Sequence, residues 1–561
     1  MPLRGSNRRW PPVQGAERKV TGVRRDDGLA SLAQGFDLAV IGGGVVGAGI
    51  ALDAAARGLR VCLLERSDFA SGTSSRSTKL LHGGVRYLPQ LRFGLVRESL
   101  REQLVLRRIA DYLVEPLDFV IPVYRDRGFA DAPAWARHRW ILPGALRLGL
   151  WVYDRLGGRK GQDLQRRISA AEVLERFPRL RTKNLRHGIV YRDYQTDDAR
   201  FTLALVRTAV AHGATARNWV SADRVEAAED GYRLQVTDRL LGGEATIPAR
   251  TVVAAAGAFP PPPGAGRPPL GLRLSKGTHL TVEAAQLGLT GSALLLPETD
   301  DGRVLFLVPW AGYGLVGTTD TEYRDDPAFP TPSSEDVDYL LRHVAEYLDL
   351  ERPTILSAWS GLRALADRGG GATASASREH RVRELAPGYF QVAGGKLTGY
   401  RRIAEEVVSG VCRRLGRREA CCTDEVLLAG AGGGEAGAPE VRRRAAALGL
   451  GDAWADRLAA RYGTDAGRVI HLIAEQPRWA APLEGTEHLQ AEVVFAARHE
   501  FAATVADVLL RRTHIAWTAR DHGRAVIGTV ASLLAAELGW DDARLTVERR
   551  RAEETLAAEG L

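Results

Sequence analysis

Gly42, Gly44 and Gly47, spaced as G-x-G-x-x-G, are residues whose chemistry needs a phosphate laid against them. The first permits a tight turn, the second lets a pyrophosphate approach the backbone, and the third lets a helix pack closely on a strand. A helix starting at this point would add free N–H groups and positive partial charge. Glu65 lies 18 residues past Gly47, placed to accept hydrogen bonds from a ribose. An acid there would repel a ribose 2′-phosphate, which leaves NAD or FAD.

The elements that must position these residues are legible around them. "DLAVI" is a short apolar strand running into the glycines, "VVGAGIALDAAARG" an Ala-rich helix, and "LRVCLLER" a second buried strand ending in an acid. Together they make one βαβ unit of about 30 residues. A Gly-rich turn in an ordinary α/β domain is the competing reading. The two strands, the helix and the terminal acid together favour a dinucleotide.

The next segment, "SGTSSRSTKLLHGGVRYL" (71–88), is a run of small hydroxyl residues and two glycines, as if backbone wraps something bulky. With the fingerprint, it resembles the FAD-dependent, quinone-linked glycerol-3-phosphate dehydrogenase family within the D-amino-acid-oxidase-like flavoproteins. The resemblance recurs in "DYQTDDAR" (193–200), "SKGTHL" (275–280), "VGTTD" (316–320), "SGLRAL" (360–365), "AGGKLTGYRRIAEEV" (393–407) and "AEVVFAARHEFAATVADVLLRRT" (491–513). It covers about residues 36–520 in order.

The resemblance implies FAD as cofactor and the oxidation of sn-glycerol 3-phosphate to dihydroxyacetone phosphate, with electrons leaving for a membrane quinone. It places Gly42, Gly44, Gly47, Glu65, Ser74, Ser75, Ser77, Lys79, Gly83, Gly257, Gly395, Leu397 and Thr398 around the cofactor. His279, Arg363 and Lys396 are the expected catalytic residues. Arg86, Tyr87 and Arg378 are the expected substrate contacts. An imidazole titrates near neutrality and suits a proton acceptor. A histidine simply bonded within its sheet is the alternative, and an arginine as the base stays open. Guanidinium groups hold phosphate oxygens in bidentate fashion. "VAGGKLTGYRRIAEEV" reads as a strand, a Gly turn and a helix beginning near Leu397 or Thr398. A helix N-terminus with Lys396 beside it would stabilise negative charge on a reduced flavin. The sequence departs from the family's usual pattern at "AAAGAFPPPPGAG" (254–266), where Ala256 and Phe259 replace a threonine and a tryptophan.

Composition narrows the partners. The 561 residues are 45% hydrophobic and carry a formal charge of +8, which favours anionic partners. Of 76 basic residues only six are lysine, and three of these (Lys79, Lys276, Lys396) fall inside the motifs. The arginines are dispersed without an aromatic-basic motif, so no nucleic acid is expected as partner. Four poorly spaced cysteines suggest neither a disulfide framework nor zinc, and no metal is expected. A reduced, cytoplasmic setting follows, with the protein peripheral to an anionic membrane surface if a quinone is the acceptor. Residues 132–160 interleave Trp135, Trp140 and Trp151 with Arg137, Arg139 and Arg147, which fits either an interfacial helix or a buried cap over the site.

The expected fold class is α/β plus α. A basic mobile arm (1–34) precedes an FAD-binding Rossmann-like domain interwoven with a mixed-sheet substrate domain (35–416). A helical C-terminal domain (417–561) includes a Gly/Ala linker at 427–440, after which the chain is helical by pattern, "AEVVFAARHEFAATVADVLLRR" (491–512) included. A homodimer is compatible with this plan. The rival readings are a glycerol-3-phosphate oxidase that uses O2 and makes H2O2, and a flavoprotein that binds or modifies RNA.

Overall fold

The computed structural model describes residues 29–85, 92–129, 142–159, 161–366 and 380–561. Leu29–Leu32 form a 3-10 turn whose Leu32 is fully buried, so the last part of the expected arm is packed chain. Its first part, residues 1–28, lies outside the described residues.

Strand β1 (Phe36–Ile41), helix α1 (Val45–Ala56) and strand β2 (Val61–Glu65) form the βαβ unit. After them come β3 (Leu80–Leu81), α2 (Phe93–Ile109), β4 (Glu115–Tyr124), α3 (Leu142–Leu156), β5 (Arg166–Ser169) and α4 (Ala170–Arg176). Next are β6 (Leu185–Gln195), α5 (Asp198–Ala211), β7 (Thr215–Asn218), β8 (Val220–Ala228), β9 (Gly231–Asp238) and β10 (Glu244–Ala254). The substrate sheet continues with β11 (Leu272–Glu283), α6 (Ala284–Leu287), β12 (Ala293–Leu296), β13 (Leu305–Trp310), β14 (Tyr313–Gly317) and β15 (Thr321–Tyr323). Then follow α7 (Ser334–Tyr347), β16 (Ile355–Ala366), β17 (Arg381–Ala386), β18 (Tyr389–Ala393) and α8 (Tyr400–Arg414).

Among the described residues these strands make two sheets. The first runs β17-β18-β10-β1-β2-β7, with β8 and β9 attached through β10, and its centre is parallel. Parallel strands are covered on both faces, which is why β1 and β2 read as unbroken apolar runs. The second runs β15-β11-β14-β13-β12-β4-β6-β3, with β16 beside β11, and is mixed. Helix α1 is buried between the first sheet, α5 and α8. Its small residues permit this, since a Cβ on Gly49 would stand 2.5 Å from the Tyr400 ring.

The C-terminal region is helical: α9 (Gly434–Ala447), α10 (Asp452–Tyr462), α11 (Ala466–Glu475), α12 (Gln490–His499), α13 (Val505–Asp507), α14 (Ile515–Thr518), α15 (Ile527–Leu538) and α16 (Asp542–Ala558). Two sequence expectations change here. Helix α9 begins inside the stretch 427–440 read as linker. The apparent single helix over 491–512 is broken after His499, because Thr504 and Asp507 form a reciprocal capping box that starts a new turn. The region is also not packed apart from the rest. Leu509, Ile515 and Trp517 share one buried core with Phe119, Leu315 and Trp359 of the substrate sheet.

Candidate active site

Two of the fingerprint glycines, Gly42 and Gly47, occupy positions only glycine tolerates. Gly42 has φ +111°, and a Cβ there would collide with the Ala255 carbonyl; a Cβ on Gly47 would collide with the Gly42 carbonyl. Gly44 is the N-cap of α1, so no side chain of its own covers the first helical turn. Glu65 ends β2 with both carboxylate oxygens on backbone N–H groups, of Gly43 at 2.7 Å and Ser67 at 2.9 Å. Burial pushes its carboxyl above the ordinary range against those two bonds.

The segment after β2 touches every other part of the site. Ser74 accepts a hydrogen bond from Val45 N–H at the start of α1, 2.9 Å. Thr73 donates to the Leu362 carbonyl of β16 at 2.5 Å. The Thr78 hydroxyl lies 2.9 Å from Nε2 of His279 on β11. Thr398, in the turn before α8, donates to the His82 carbonyl at 3.4 Å. The described part of that loop, 71–85, and the turn at 394–398, more than 300 residues apart in the chain, are therefore neighbours.

Lys79 turns inward. Its Nζ, 1% exposed, bonds Asp198 at 2.5 Å and the Ser75 carbonyl at 2.6 Å, between the rings of Trp310 and Trp359. Asp198 also accepts Ser77 N–H at 2.9 Å, and Ser77 Oγ accepts Lys79 N–H. Ser75 is buried against its own turn. Ser75, Ser77 and Lys79 thus hold the segment's shape, while Ser74 lies over α1. Gly83 packs under Tyr153, where a Cβ would collide with the phenol oxygen, and its N–H points at Asp193. Asp193 and Asp198 sit in the "DYQTDDAR" motif, and Asp197 between them caps α5.

His279 is 2% exposed in mid-strand, opposite Gly317 on β14 and Trp359 on β16. Its Nδ1 is buried without a hydrogen-bond partner. Burial, then Arg363, then Lys79 hold its pKa well below the ordinary 6.5, so the ring is neutral. Arg363 projects from β16 beside Gly277, where a Cβ would stand 2.5 Å from the guanidinium. It bonds Thr318 Oγ1 at 3.1 Å and the Thr319 carbonyl at 3.2 Å, with Asp320 at 3.5 Å. Lys396 heads the 3-10 turn Leu397–Gly399, and α8 proper starts at Tyr400, two or three residues later than the sequence suggests. Gly395 takes φ +112° to make that bend, and Leu397 packs on the dinucleotide core.

Gly257 has φ +61° with open space where a Cβ would be. The divergent loop around it has its own anchors: Phe259 lies under the Arg66 guanidinium at 4.6 Å, and Ala265 N–H donates to Val225 at 2.8 Å. Arg86, Tyr87 and Arg378 lie outside the described residues, as do Trp135, Arg137, Arg139 and Trp140. Trp359 and Thr78 were not singled out by sequence reasoning. Thr78 lies inside the 71–88 motif, and Trp359 immediately precedes "SGLRAL".

Comparison with known proteins agrees with this geometry. Residues 37–402 match the family described as FAD dependent oxidoreductase, and residues 421–545 the C-terminal domain of alpha-glycerophosphate oxidase. A glycerol-3-phosphate dehydrogenase of Mycobacterium leprae is 37% identical over 90% of this chain and 85% of its own length. The chain belongs to the FAD-dependent glycerol-3-phosphate dehydrogenase family. Another member, glycerol-3-phosphate dehydrogenase 2 of Mycobacterium tuberculosis, is 37% identical over 91% of this chain and 86% of its own. The structure of the Bacillus halodurans glycerol-3-phosphate dehydrogenase complexed with FAD superposes with a TM-score of 0.78 at 29% identity, over 96% of this chain and 98% of that one.

The glycerol-3-phosphate dehydrogenase fold and its cofactor suit the residues present. A glycine N-cap on α1, an acid ending β2 and a hydroxyl-lined segment over the first helical turn are donors and acceptors of the kind a pyrophosphate and ribose would need. Beside that segment, the Nδ1 of His279 is buried without a hydrogen-bond partner.

Proposed function

We propose that this chain oxidises sn-glycerol 3-phosphate to dihydroxyacetone phosphate and delivers the electrons to a membrane quinone. The observation that carries the reading is the single segment Thr73–His82, which joins the α1 N-terminus, His279, the strand of Arg363 and the turn after Lys396. FAD supplies the acceptor for the hydride that leaves substrate C2. The chain's own residues do the rest. His279, kept neutral by burial and two cations, takes the hydroxyl proton. Arg363, steadied by Thr318 and Thr319, grips the phosphate together with Arg86, Tyr87 and Arg378. Lys396 and the helix start behind it offset negative charge on the reduced cofactor.

The membrane assignment is supported by α3. One side of it is buried through Leu150 and Tyr153, and the other exposes Leu148 and Trp151 with Arg155 over the indole at 5.1 Å. Burial and exposure thus fall on opposite sides of this one helix. Among the described residues no helix is long and apolar enough to cross a membrane, and the proposed location is peripheral, on the cytoplasmic face.

A second reading, an oxidase that reduces O2 to H2O2, is favoured by the description of the C-terminal match. Anaerobic addition of glycerol 3-phosphate should bleach the flavin band near ~450 nm. Reoxidation should then be fast with a soluble quinone and slow with O2. Stoichiometric peroxide at a comparable rate would instead make the chain an oxidase, and no bleaching would reject the substrate.

A further inference from the structure

The C-terminal helices grip the cofactor segment from outside. Asp68, fully buried at the head of that segment, accepts bonds from Arg511 at 2.5 Å and from Arg512. Phe69 meets the Phe501 ring edge-on at 5.3 Å. Farther along, Arg76 sits between Ser75 and Ser77 with its guanidinium buried. One arm donates to the Ser360 carbonyl of β16 at 3.3 Å, and the other to Glu559, just past α16, at 2.5 Å. Both side chains of this ion pair are 6% exposed. The backbone of Arg76 is pressed on Gly361, where a Cβ would come within 2.6 Å of its carbonyl.

We propose that Glu559 is a positioning residue for FAD: through Arg76 it latches the segment Thr73–Thr78 in its cofactor-holding shape. The argument is mechanical and electrostatic. Glu559 is the carboxylate paired with Arg76 among the described residues, and a buried guanidinium that loses its counter-charge must move or hydrate. Arg76 has no slack, because Ser360 and Gly361 hold it on one side. Its displacement would therefore drag Ser74 off the α1 N-terminus and Thr78 off His279. The charge of Glu559 also reaches Arg511. That residue's pKa stays above its ordinary value despite burial, because Asp68, Asp507 and Glu559 hold it charged. Glu559 lies beyond residues 421–545 that match the C-terminal family domain, while Arg76 lies inside the matched residues 37–402.

The inference rests on the reading of Ser74 as a cofactor-side residue. It is tested by FAD titration of the apoprotein, following flavin fluorescence and the visible circular dichroism of the bound flavin. Glu559→Ala should raise the FAD Kd by about tenfold or more, about 1.4 kcal/mol, and alter the dichroism. Glu559→Gln, which keeps volume and one acceptor, should fall between it and the parent. Arg524→Ala loosens the same tip at the exposed Leu561 carbonyl without touching Arg76 and should leave Kd unchanged. If Glu559→Ala does not fold, Glu559→Gln decides. A parental Kd in the Glu559 variants, or an equal loss in Arg524→Ala, overturns the latch. A parent apoprotein that takes up no FAD overturns the underlying reading instead.

Discussion

The imidazole of His279 lies flat on the indole of Trp359, ring centroids 4.4 Å apart and planes 16° from parallel. The two are cross-strand partners on β11 and β16, and Trp359 Nε1 in turn donates to Thr281 at 3.3 Å. The stack fixes the ring that the proposed chemistry needs, and it also seals that ring from water.

His279→Asn should lower kcat by about 10²–10⁴-fold, the usual worth of a positioned base, with KM less affected. The depressed pKa of His279 sets the sign of the pH profile. The neutral form persists below the ordinary 6.5, so the acid limb of kcat/KM should lie well below that value. Trp359→Leu admits water and should move the limb upward toward 6.5. A limb already at 6.5 in the parent would contradict the burial argument. The same shift contributes stability that is complete above 6.5 and is lost as the pH falls toward the folded value.

Lys79 and Asp198 are each about 1% exposed, and neither has water to fall back on. Lys79→Met strands a buried carboxylate and should cost about 3–5 kcal/mol in chemical denaturation, while Asp198→Asn should cost a similar amount. The double variant should lose less than the sum, since each single change already breaks the pair. Additive losses would mean the two residues act separately.

Lys396 stands at the start of the turn into α8, where its charge adds to that of the helix end. Lys396→Met should make the potential of the bound flavin more negative and reduce kcat by about tenfold, about 1.4 kcal/mol. Spectroelectrochemical titration reads the first effect independently of turnover. An unchanged potential would remove Lys396 from the cofactor's surroundings.

On α3, Leu148 and Trp151 are 61% and 49% exposed, beside Arg147 and Arg155. The protein should sediment with anionic vesicles at low salt and be released at high salt, as surface charge attraction is screened. Leu148→Ser with Trp151→Ser should weaken sedimentation while leaving activity with a soluble dye intact, since Leu150 and Tyr153 still hold the helix down. Equal sedimentation of parent and variant would assign membrane contact elsewhere.

Much of this site was legible because its constraints are local. Gly42, Gly44, Gly47 and Glu65 are adjacent elements of one βαβ unit, and each residue type there answers to a turn, a close approach or a strand end within its own neighbourhood. The turn at Gly395 is local in the same way, so its spacing was sufficient. The boundaries misread at 427–440 and 491–512 show the limit. A Gly/Ala run serves a linker or a helix equally, and the helix break at Glu500–Thr504 depends on a capping box that helical periodicity masks.

What the amino-acid order by itself determined is therefore the cofactor-binding unit, the motif residues and the helical character of the C-terminal region. Only the tertiary structure decided how the distant parts act on one another. Lys79 finds Asp198, His279 finds Trp359 and Thr78, and Arg76 finds Glu559 across 483 positions of chain. These pairings come from burial: a charge or ring removed from water must be matched by whatever the packed core brings beside it, and sequence spacing does not encode that neighbour.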